Sequence, residues 1–410
     1  MVRRYDRRDK GSTDDRNRLH RVAHGITSLN RPRLLFYVQH LLGIGHLVRG
    51  SRLAKAMAAG PFDVTVVVGG TLPPRLDFGD AAIVCLPPVK AGPGGFADLV
   101  TPDGKVFGPE ARDARRDQLL RHAETIKPDI VLIEAFPFGR RQMRFELLPL
   151  LEALQACAHP PLIAVSLRDI LQENRKPSRD AETVALVQRY VDLVIVHGDP
   201  TLGTLGDSFP LAGEIADTIV YSGLVGPAPA EMPMTEPFDV IVSVGGGAVG
   251  ASLLHAALAA KPLSRAASLS WLVLTGPNLP ASDRLVDPSG VTLRTFEADL
   301  PARLRAATLS ISQAGYNTVA DLLSAPTCRA VLVPHAMTGE TEQERRATLL
   351  ERRGWAVVVD EATLDPARLA AGIDRALDLP PRETTFDFNG AAETARLLEQ
   401  RWRQTDPVAP

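Results

Sequence analysis

The chain runs to 410 residues yet holds only three cysteines, Cys85, Cys157 and Cys328, too widely spaced to form a metal or redox pattern. That excludes a disulfide-built secreted scaffold and makes a reducing cytoplasm the expected setting. Charge of one sign is lacking too. With 46 basic against 48 acidic residues the net charge is -2, so the chain as a whole has no general attraction for nucleic acid. No apolar run approaches the length of a membrane span, and the first residues lack the apolar core of a signal peptide. What is present is 45% apolar sequence, ample for real cores, on a length that exceeds one compact domain and fits two.

Met1–Asn30 is rich in Arg and Asp with few apolar residues, and is expected to be a disordered tail. Order is expected from the strand Leu34–Gln39. It runs through His40-Leu41-Leu42-Gly43-Ile44-Gly45-His46 into a helix, Leu47–Ala59, stopped by Gly60-Pro61, and then into a strand, Val64–Val68. This is a βαβ unit with its glycine loop at the carboxyl edge, where open parallel sheets bind ligands. It is not the dinucleotide fingerprint, because the third Gly and the ribose acid are missing. His46 at the helix entrance reads either as a structural cap or as a base whose ordinary pKa lies near neutrality. The glycine loop before it favours the second reading.

Alternation continues through the strands Ala81–Leu86, Ile130–Glu134, Leu162–Val165 and Leu193–Val196, with helices at Glu110–Lys127 and Asp180–Tyr190. Lys90–Gly108 reads as a Gly/Pro-rich loop of about twenty residues, long enough for a mobile lid. Past the strand at Glu134, Phe136 and Phe138 stand beside Arg140, Arg141 and Arg144. This is a candidate acceptor site or membrane-facing patch, or else a plain helix start with solvated arginines. Ser166-Leu167-Arg168-Asp169-Ile170 follows another strand, and Asp169 is the reserve candidate for the base.

The Pro- and Ala-dense stretch Gly226–Pro237 marks a linker, set at residues 223–237 between domains at 31–222 and 238–385, with a last helix and tail at 386–410. The second half restarts with the strand Val240–Val244, then Gly245-Gly246-Gly247-Ala248 and a helix, Ser252–Ala260. Consecutive glycines there let backbone amides approach a ligand. Strands at Trp271–Thr275, ending at Gly276, and at Val291–Phe296 follow. The stretch Leu309–Asp321 organises this half. A strand at Ala306–Ile311, the loop Ser312-Gln313-Ala314-Gly315 and a helix, Asn317–Leu323, leave backbone N–H groups and a positive helix end at a cleft edge, which suits a phosphate or diphosphate. Asp321 falls one turn into the helix, placed for ribose hydroxyls. Any α/β protein can contain a similar strand–turn–helix with no ligand. Downstream come the strand Ala330–Val333, Pro334-His335-Ala336, the run Glu342-Gln343-Glu344-Arg345-Arg346-Ala347, a helix to about Arg353 closed by Gly354, and a strand, Trp355–Val359.

Four stretches in order, GIGHLVR, FPFGRR, LRDIL and SQAGYNT, resemble the MurG-like branch of GT-B glycosyltransferases, the group around the peptidoglycan N-acetylglucosaminyltransferases. The resemblance runs from about Arg33 to Arg353. It implies an α/β fold of two Rossmann-like parallel-sheet domains facing across a cleft. It further implies sugar transfer from a nucleotide sugar, UDP-linked in the family, to an unnamed acceptor such as a lipid or cell-envelope glycan. By resemblance, Gly43, Gly45, Arg140, Arg141 and Arg168 lie on the acceptor side with His46 and Asp169 as catalytic candidates. The donor falls to Gly245, Gly246, Gly247, Gly276, Phe296, Gln313, Gly315, Tyr316, Asn317, Thr318, Asp321, Glu342 and Gln343. Phe296 stands where the family covers the nucleobase, Asp321 where it usually has Glu for the ribose, and Gln343 where a Gln reaches the sugar. Arg346 stands where MurG itself has Asn. No cofactor is expected, the nucleotide sugar being a substrate. An Asp-x-Asp motif is absent near any strand end, so a metal-independent, inverting mechanism is expected, with helix ends stabilising the leaving diphosphate. The expected location is the cytoplasm, in peripheral contact with the inner face of the membrane, with no nucleic-acid partner. Hydrolases and epimerases of UDP-sugars on the same fold are one rival reading, although they carry more carboxylates in the cleft. The other is a catalytically silent nucleotide-sugar-binding subunit, against which intact glycines in both halves argue.

Overall fold

Two parallel sheets, one in each half of the chain, set out the molecule in a computed structural model that describes residues 31–41, 43–73, 76–92, 95–172, 178–227, 237–246, 250–277, 279, 290–297, 299–335, 341–383 and 386–405. The tail 1–30, Gly247 and most of the Pro/Ala-dense linker lie outside the described residues.

The first half runs β1 (Arg33–Val38), α1 (Gly45–Ala59), β2 (Asp63–Val68), β3 (Ala82–Cys85), β4 (Lys90–Gly92), β5 (Gly95–Val100), α2 (Pro109–Ile126), β6 (Ile130–Glu134), α3 (Arg144–Gln155), β7 (Leu162–Arg168), α4 (Ser178–Tyr190), β8 (Leu193–His197) and β9 (Ile219–Tyr221). Its sheet has the order β3-β2-β1-β6-β7-β8-β9, all parallel. The unbroken apolar runs of β1, β6 and β8 suit strands covered by helices on both faces, and these strands are buried along nearly their whole length. From β1 the chain winds outward to β2 and β3, whereas from β6 it winds the other way. The loops after β1 and β6 therefore part, opening the crevice in which such sheets bind ligands.

The second half repeats the plan with β10 (Val240–Ser243), α5 (Ala251–Ala260), β11 (Trp271–Leu274), β12 (Val291–Arg294), α6 (Leu300–Ala306), β13 (Leu309–Ser312), α7 (Tyr316–Leu323), β14 (Arg329–Leu332), α8 (Glu342–Arg352), β15 (Val357–Val358) and α9 (Pro366–Leu377). Sheet order is β12-β11-β10-β13-β14-β15, again parallel, with the switch between β10 and β13. A last helix, α10 (Gly390–Thr405), crosses back to the first half and lays Ala395 and Leu398 into the core formed by Leu47, Leu53 and Met57 of α1. At the crossing, Leu224 donates to the Asp387 carbonyl at 2.9 Å, Gly390 donates to the Leu224 carbonyl at 3.0 Å, and Val225 bridges Asn389. A Cβ on Gly390 would sit 2.6 Å from the Gly223 carbonyl oxygen, so the two segments meet this closely because that residue has none.

Three expectations are corrected. Ala306 ends α6 rather than starting a strand, since Pro301 in the first turn and Leu304 on the buried side fit a helix, and β13 begins only at Leu309. Lys90–Gly108 is not an open loop. β4 and β5 pair antiparallel, and Ala91, Leu99 and Phe107 are buried with Leu41 and Leu119, so the segment is anchored by its own apolar residues. Residues 223–226 are not free linker either, because they are packed against 387–390.

Candidate active site between the two sheets

The loop after β1 turns into α1 at Gly45, and His46 stands in the first turn of that helix. Beside it, the last residue of β6 is an acid. Glu134 is fully buried, and its Oε1 lies 2.8 Å from His46 Nδ1. Arg49, one turn further along α1, pairs with the same carboxylate, and the Ser166 hydroxyl donates to Oε2 at 2.5 Å. Burial opposes the charge on Glu134, but Arg49, His46 and Ser166 outweigh it and hold the carboxyl far below its ordinary range. An ionised carboxylate only accepts, so His46 carries its proton on Nδ1 and keeps the Nε2 lone pair for another group. Burial and the Arg140 charge push His46 well below 6.5, against the pull of Glu134, and the ring is neutral.

The same accounting fixes a longer chain of protons. Ser166 donates to Glu134, so it accepts from His197 Nε2 at 2.8 Å. Burial holds His197 down to about 3, so the ring is neutral, and its Nδ1 accepts from the Ser222 hydroxyl at 2.8 Å. His46, Glu134, Ser166, His197 and Ser222 thus form one satisfied line crossing the ends of β6, β7 and β8. The motifs pointed to His46 and missed the other four. A signal was present: an acid closing the apolar run Ile130–Glu134 and a His closing Leu193–His197 are costly at buried strand ends unless they are used.

Arg140 lies in left-handed backbone at φ 55°, and its Nε donates to the Gln39 carbonyl at 3.0 Å. Gln39 is itself held by buried Arg115 at 2.7 Å, which pairs with Glu146 at 2.7 Å. Burial and the like charge of Arg168 lower Arg140 to about 10. Arg141 turns elsewhere, to Glu182 and the Arg179 carbonyl on α4, so the structure does not bring it to His46. Arg168 pairs with Glu342 of the other sheet's domain.

On the donor side, Gly315 caps α7, and Asn317 Nδ2 donates to the Gly45 carbonyl at 2.9 Å, joining the expected donor loop to the His46 loop. Tyr316 lies under the Arg49 guanidinium, 4.9 Å from ring centroid to Cζ, and its hydroxyl accepts from Val225 N–H at 2.9 Å. Thr318 is in the first turn of α7, and Gln313 is buried in the loop before it. The side-chain carbonyl of Gln343 accepts from the Ala314 and His335 N–H groups, both at 3.1 Å, which fixes the amide so that its NH2 is the end left over. Gly245 (φ 60°) and Gly276 (φ 76°) close β10 and β11 in left-handed conformations that favour glycine, and Gly246 follows the first. Phe296, past β12, leaves 50% of its surface exposed, as a ring that stacks on a flat partner would.

Two carboxylates differ from expectation. Asp321 is not at an open edge. It is buried, 2.9 Å from Arg52 Nη2 of α1, with burial raising its pKa against that pair. Asp169 is not free to act as a base. Arg346 holds it by two bonds of 2.7 and 3.1 Å and also donates to the Ala314 carbonyl at 2.8 Å. The paired Asp169 keeps the Arg346 guanidinium charged despite its burial. Together with Arg168–Glu342 and Thr341 N–H to Gln172 at 2.9 Å, these contacts clasp the two carboxyl edges together. Among the described residues, no group of three or more His, Cys, Asp or Glu is placed to hold a metal, and no helix is long and apolar enough to cross a membrane.

Two Rossmann-like parallel sheets meeting at their carboxyl edges define the GT-B fold. The calicheamicin glycosyltransferase CalG4 superposes with a TM-score of 0.56 at 15% identity, covering 92% of this chain and 95% of its own. The MurG of Acinetobacter baumannii does so at 0.51 and 16%, covering 90% and 100%. Within that fold, residues 241–401 match the glycosyltransferase family 28 C-terminal domain. In sequence the chain is similar to UDP-N-acetylglucosamine--N-acetylmuramyl-(pentapeptide) pyrophosphoryl-undecaprenol N-acetylglucosamine transferases. The one from Acidiphilium cryptum (strain JF-5) is 34% identical over 190 residues, 44% of this chain and 50% of that protein. The one from Synechococcus sp. (strain JA-3-3Ab) is 36% identical over 151 residues, 35% and 40%. The chain thus spans about half the length or less of these curated relatives.

Proposed function

We propose that the protein is an inverting, metal-independent glycosyltransferase that moves a sugar from a nucleoside diphosphate, UDP by analogy with its relatives, to a hydroxyl of an anionic, lipid-linked acceptor at the membrane surface. The observation that carries this reading is the contact between Asn317 and Gly45, which sets the loop before α7 directly against a neutral histidine whose tautomer Glu134 fixes. His46 Nε2 takes the acceptor proton as the acceptor oxygen attacks the anomeric carbon, and the imidazolium so formed is stabilised by Glu134. Attack from the first domain on a donor held by the second proceeds opposite the leaving group, which inverts the anomeric centre. The N–H groups at the starts of α5 and α7 carry the charge of the departing diphosphate. Arg140, beside His46 and without a carboxylate partner among the described residues, supports an acceptor bearing phosphate. The curated relatives act on a pyrophosphoryl-undecaprenol substrate, which has that character.

Incubation with radiolabelled UDP-sugars, scored for UDP release with and without cell lipid extract, tests the proposal. Release that depends on the extract and labels the lipid fraction is expected. Release without acceptor would identify a hydrolase, and binding without release a silent subunit. Activity should survive EDTA, and restoration by magnesium after chelation would overturn the metal-independent mechanism.

A further inference from the structure

The second sheet has a histidine–carboxylate pair of its own. Past β14, Val333 and Pro334 lead to His335, whose Nδ1 lies 2.9 Å from Oε2 and 3.2 Å from Oε1 of Glu361, just beyond β15. Its backbone N–H goes to the Gln343 carbonyl, the same oxygen that receives Ala314 N–H from the loop before α7. Glu361 in turn accepts from the Ser252 hydroxyl at 3.4 Å in the first turn of α5. The pair therefore ties together the two loop-to-helix junctions that follow β10 and β13. His335 Nε2 is buried and has no hydrogen-bond partner among the described residues, although its side chain keeps 12% of its surface open. A polar atom left this way in an otherwise bonded cluster is expected to have a use.

The chemistry of the pair restricts that use. The carboxylate only accepts, so Nδ1 carries a proton and Nε2 is the atom offered. A protonated ring offers a charged N–H, which suits an oxygen anion, and a neutral one offers a lone pair, which suits a hydroxyl. Position favours the anion. The helix start of α5 has no acidic residue in its first turn, and Gly245, at the end of β10, has no atom of the described residues within 4 Å of where a Cβ would stand. The charge of Glu361, which would repel an anion, is engaged by His335 itself.

Resting on the donor reading above, we propose that His335, held by Glu361, binds the β-phosphate of the nucleoside diphosphate and stabilises it as it leaves. As the acceptor oxygen bonds to the anomeric carbon and gives its proton to His46, the bond from that carbon to the phosphate oxygen breaks and its electron pair passes to that oxygen. The Nε2–H of protonated His335 then holds this oxygen by a charge-assisted hydrogen bond.

Calorimetric titration of the full chain with UDP, dTDP and UMP tests this. His335→Ala should weaken binding of the diphosphate that the wild type takes by about tenfold or more, and leave UMP within about twofold. Equal losses for UDP and UMP, or no loss, would overturn the proposal and return His335 to a structural or sugar-contacting role. Should His335→Ala fail to fold, Glu361→Gln provides the same comparison: a selective loss for the diphosphate supports the assignment, and unchanged affinity sinks it. Failure of the wild type to bind either diphosphate would bring down the donor reading itself, and this inference with it.

Discussion

The two histidine–carboxylate pairs stand at equivalent edges of two similar sheets, yet they are built differently. Glu134 is sealed in, with Arg49 and Ser166 completing its bonds and a further histidine behind. Glu361 keeps 17% of its side chain exposed, and its partner His335 has a buried ring nitrogen unmatched. A closed network suits a group that must hold one protonation state until an acceptor arrives. An incomplete one suits a group whose missing bond a ligand supplies. On the proposed roles, similar chemistry on the same fold is turned to opposite ends by what lies behind the carboxylate.

The sharpest way to break this comparison is to remove the base. His46→Ala should lower turnover by roughly 10²–10⁴-fold while leaving UDP affinity nearly intact, because the proposed donor site belongs to the other sheet. Steady-state rates and UDP titration on one preparation check both halves. A stable variant with near-normal turnover would move the base elsewhere. The clasp between the two edges comes next. Asp169→Ala removes the two-bond carboxylate partner of Arg346, which is only 2% exposed and keeps the Ala314 carbonyl and Glu342 at 3.7 Å, and should cost about 2–3 kcal/mol of stability, read by urea unfolding. If Asp169 were instead the base, activity per folded molecule would collapse with stability little changed.

A third test concerns pH. The unfolded chain takes up a proton at His197 below about pH 6.5, whereas the folded chain holds that ring neutral down to about 3. Stability from this residue is therefore complete above pH 6.5 and falls by up to about 1.4 kcal/mol for each unit below it, as far as pH 3. His197→Gln, which cannot titrate, should flatten that part of the profile in urea unfolding at pH 7, 6 and 5. An unchanged slope would show that the His197 site does not exclude the proton. The smallest effect is expected from Ser166→Ala. The variant loses the bond to Glu134 and the acceptor for His197, each worth about 1 kcal/mol; the less stabilised carboxylate attracts the His46 proton more strongly and should move the acid limb of the pH–rate profile upward. A purely structural serine would lower activity equally at every pH.

The fold was legible where composition is one-sided. Runs such as Ile130–Glu134 and Leu193–His197 admit only buried strands, and their spacing with polar helices dictates parallel sheets. It was illegible where residues are neutral between states, as at Ala306, and where a few apolar side chains anchor Gly-rich sequence, as in β4 and β5. Of the candidate site, the glycine loops and His46 could be found because they are local patterns. Partners could not. Nothing local relates Arg52 to Asp321 or Asp169 to Arg346, since those pairs exist only once the two halves have docked. Asp321 consequently looked like an open ribose ligand, when access to it requires Arg52 to move.

The bonded crossing of residues 223–226 with 387–390 has a mechanical consequence of its own. Chain passes between the halves twice, and the two passages are stitched side by side rather than set apart. A pair of passages bonded to each other at one place constrains the halves more than two separate strands of chain would, because sliding one past the other would break these hydrogen bonds. The same crossing thereby holds the Gly45 carbonyl within reach of Asn317, although the two lie in different halves of the chain.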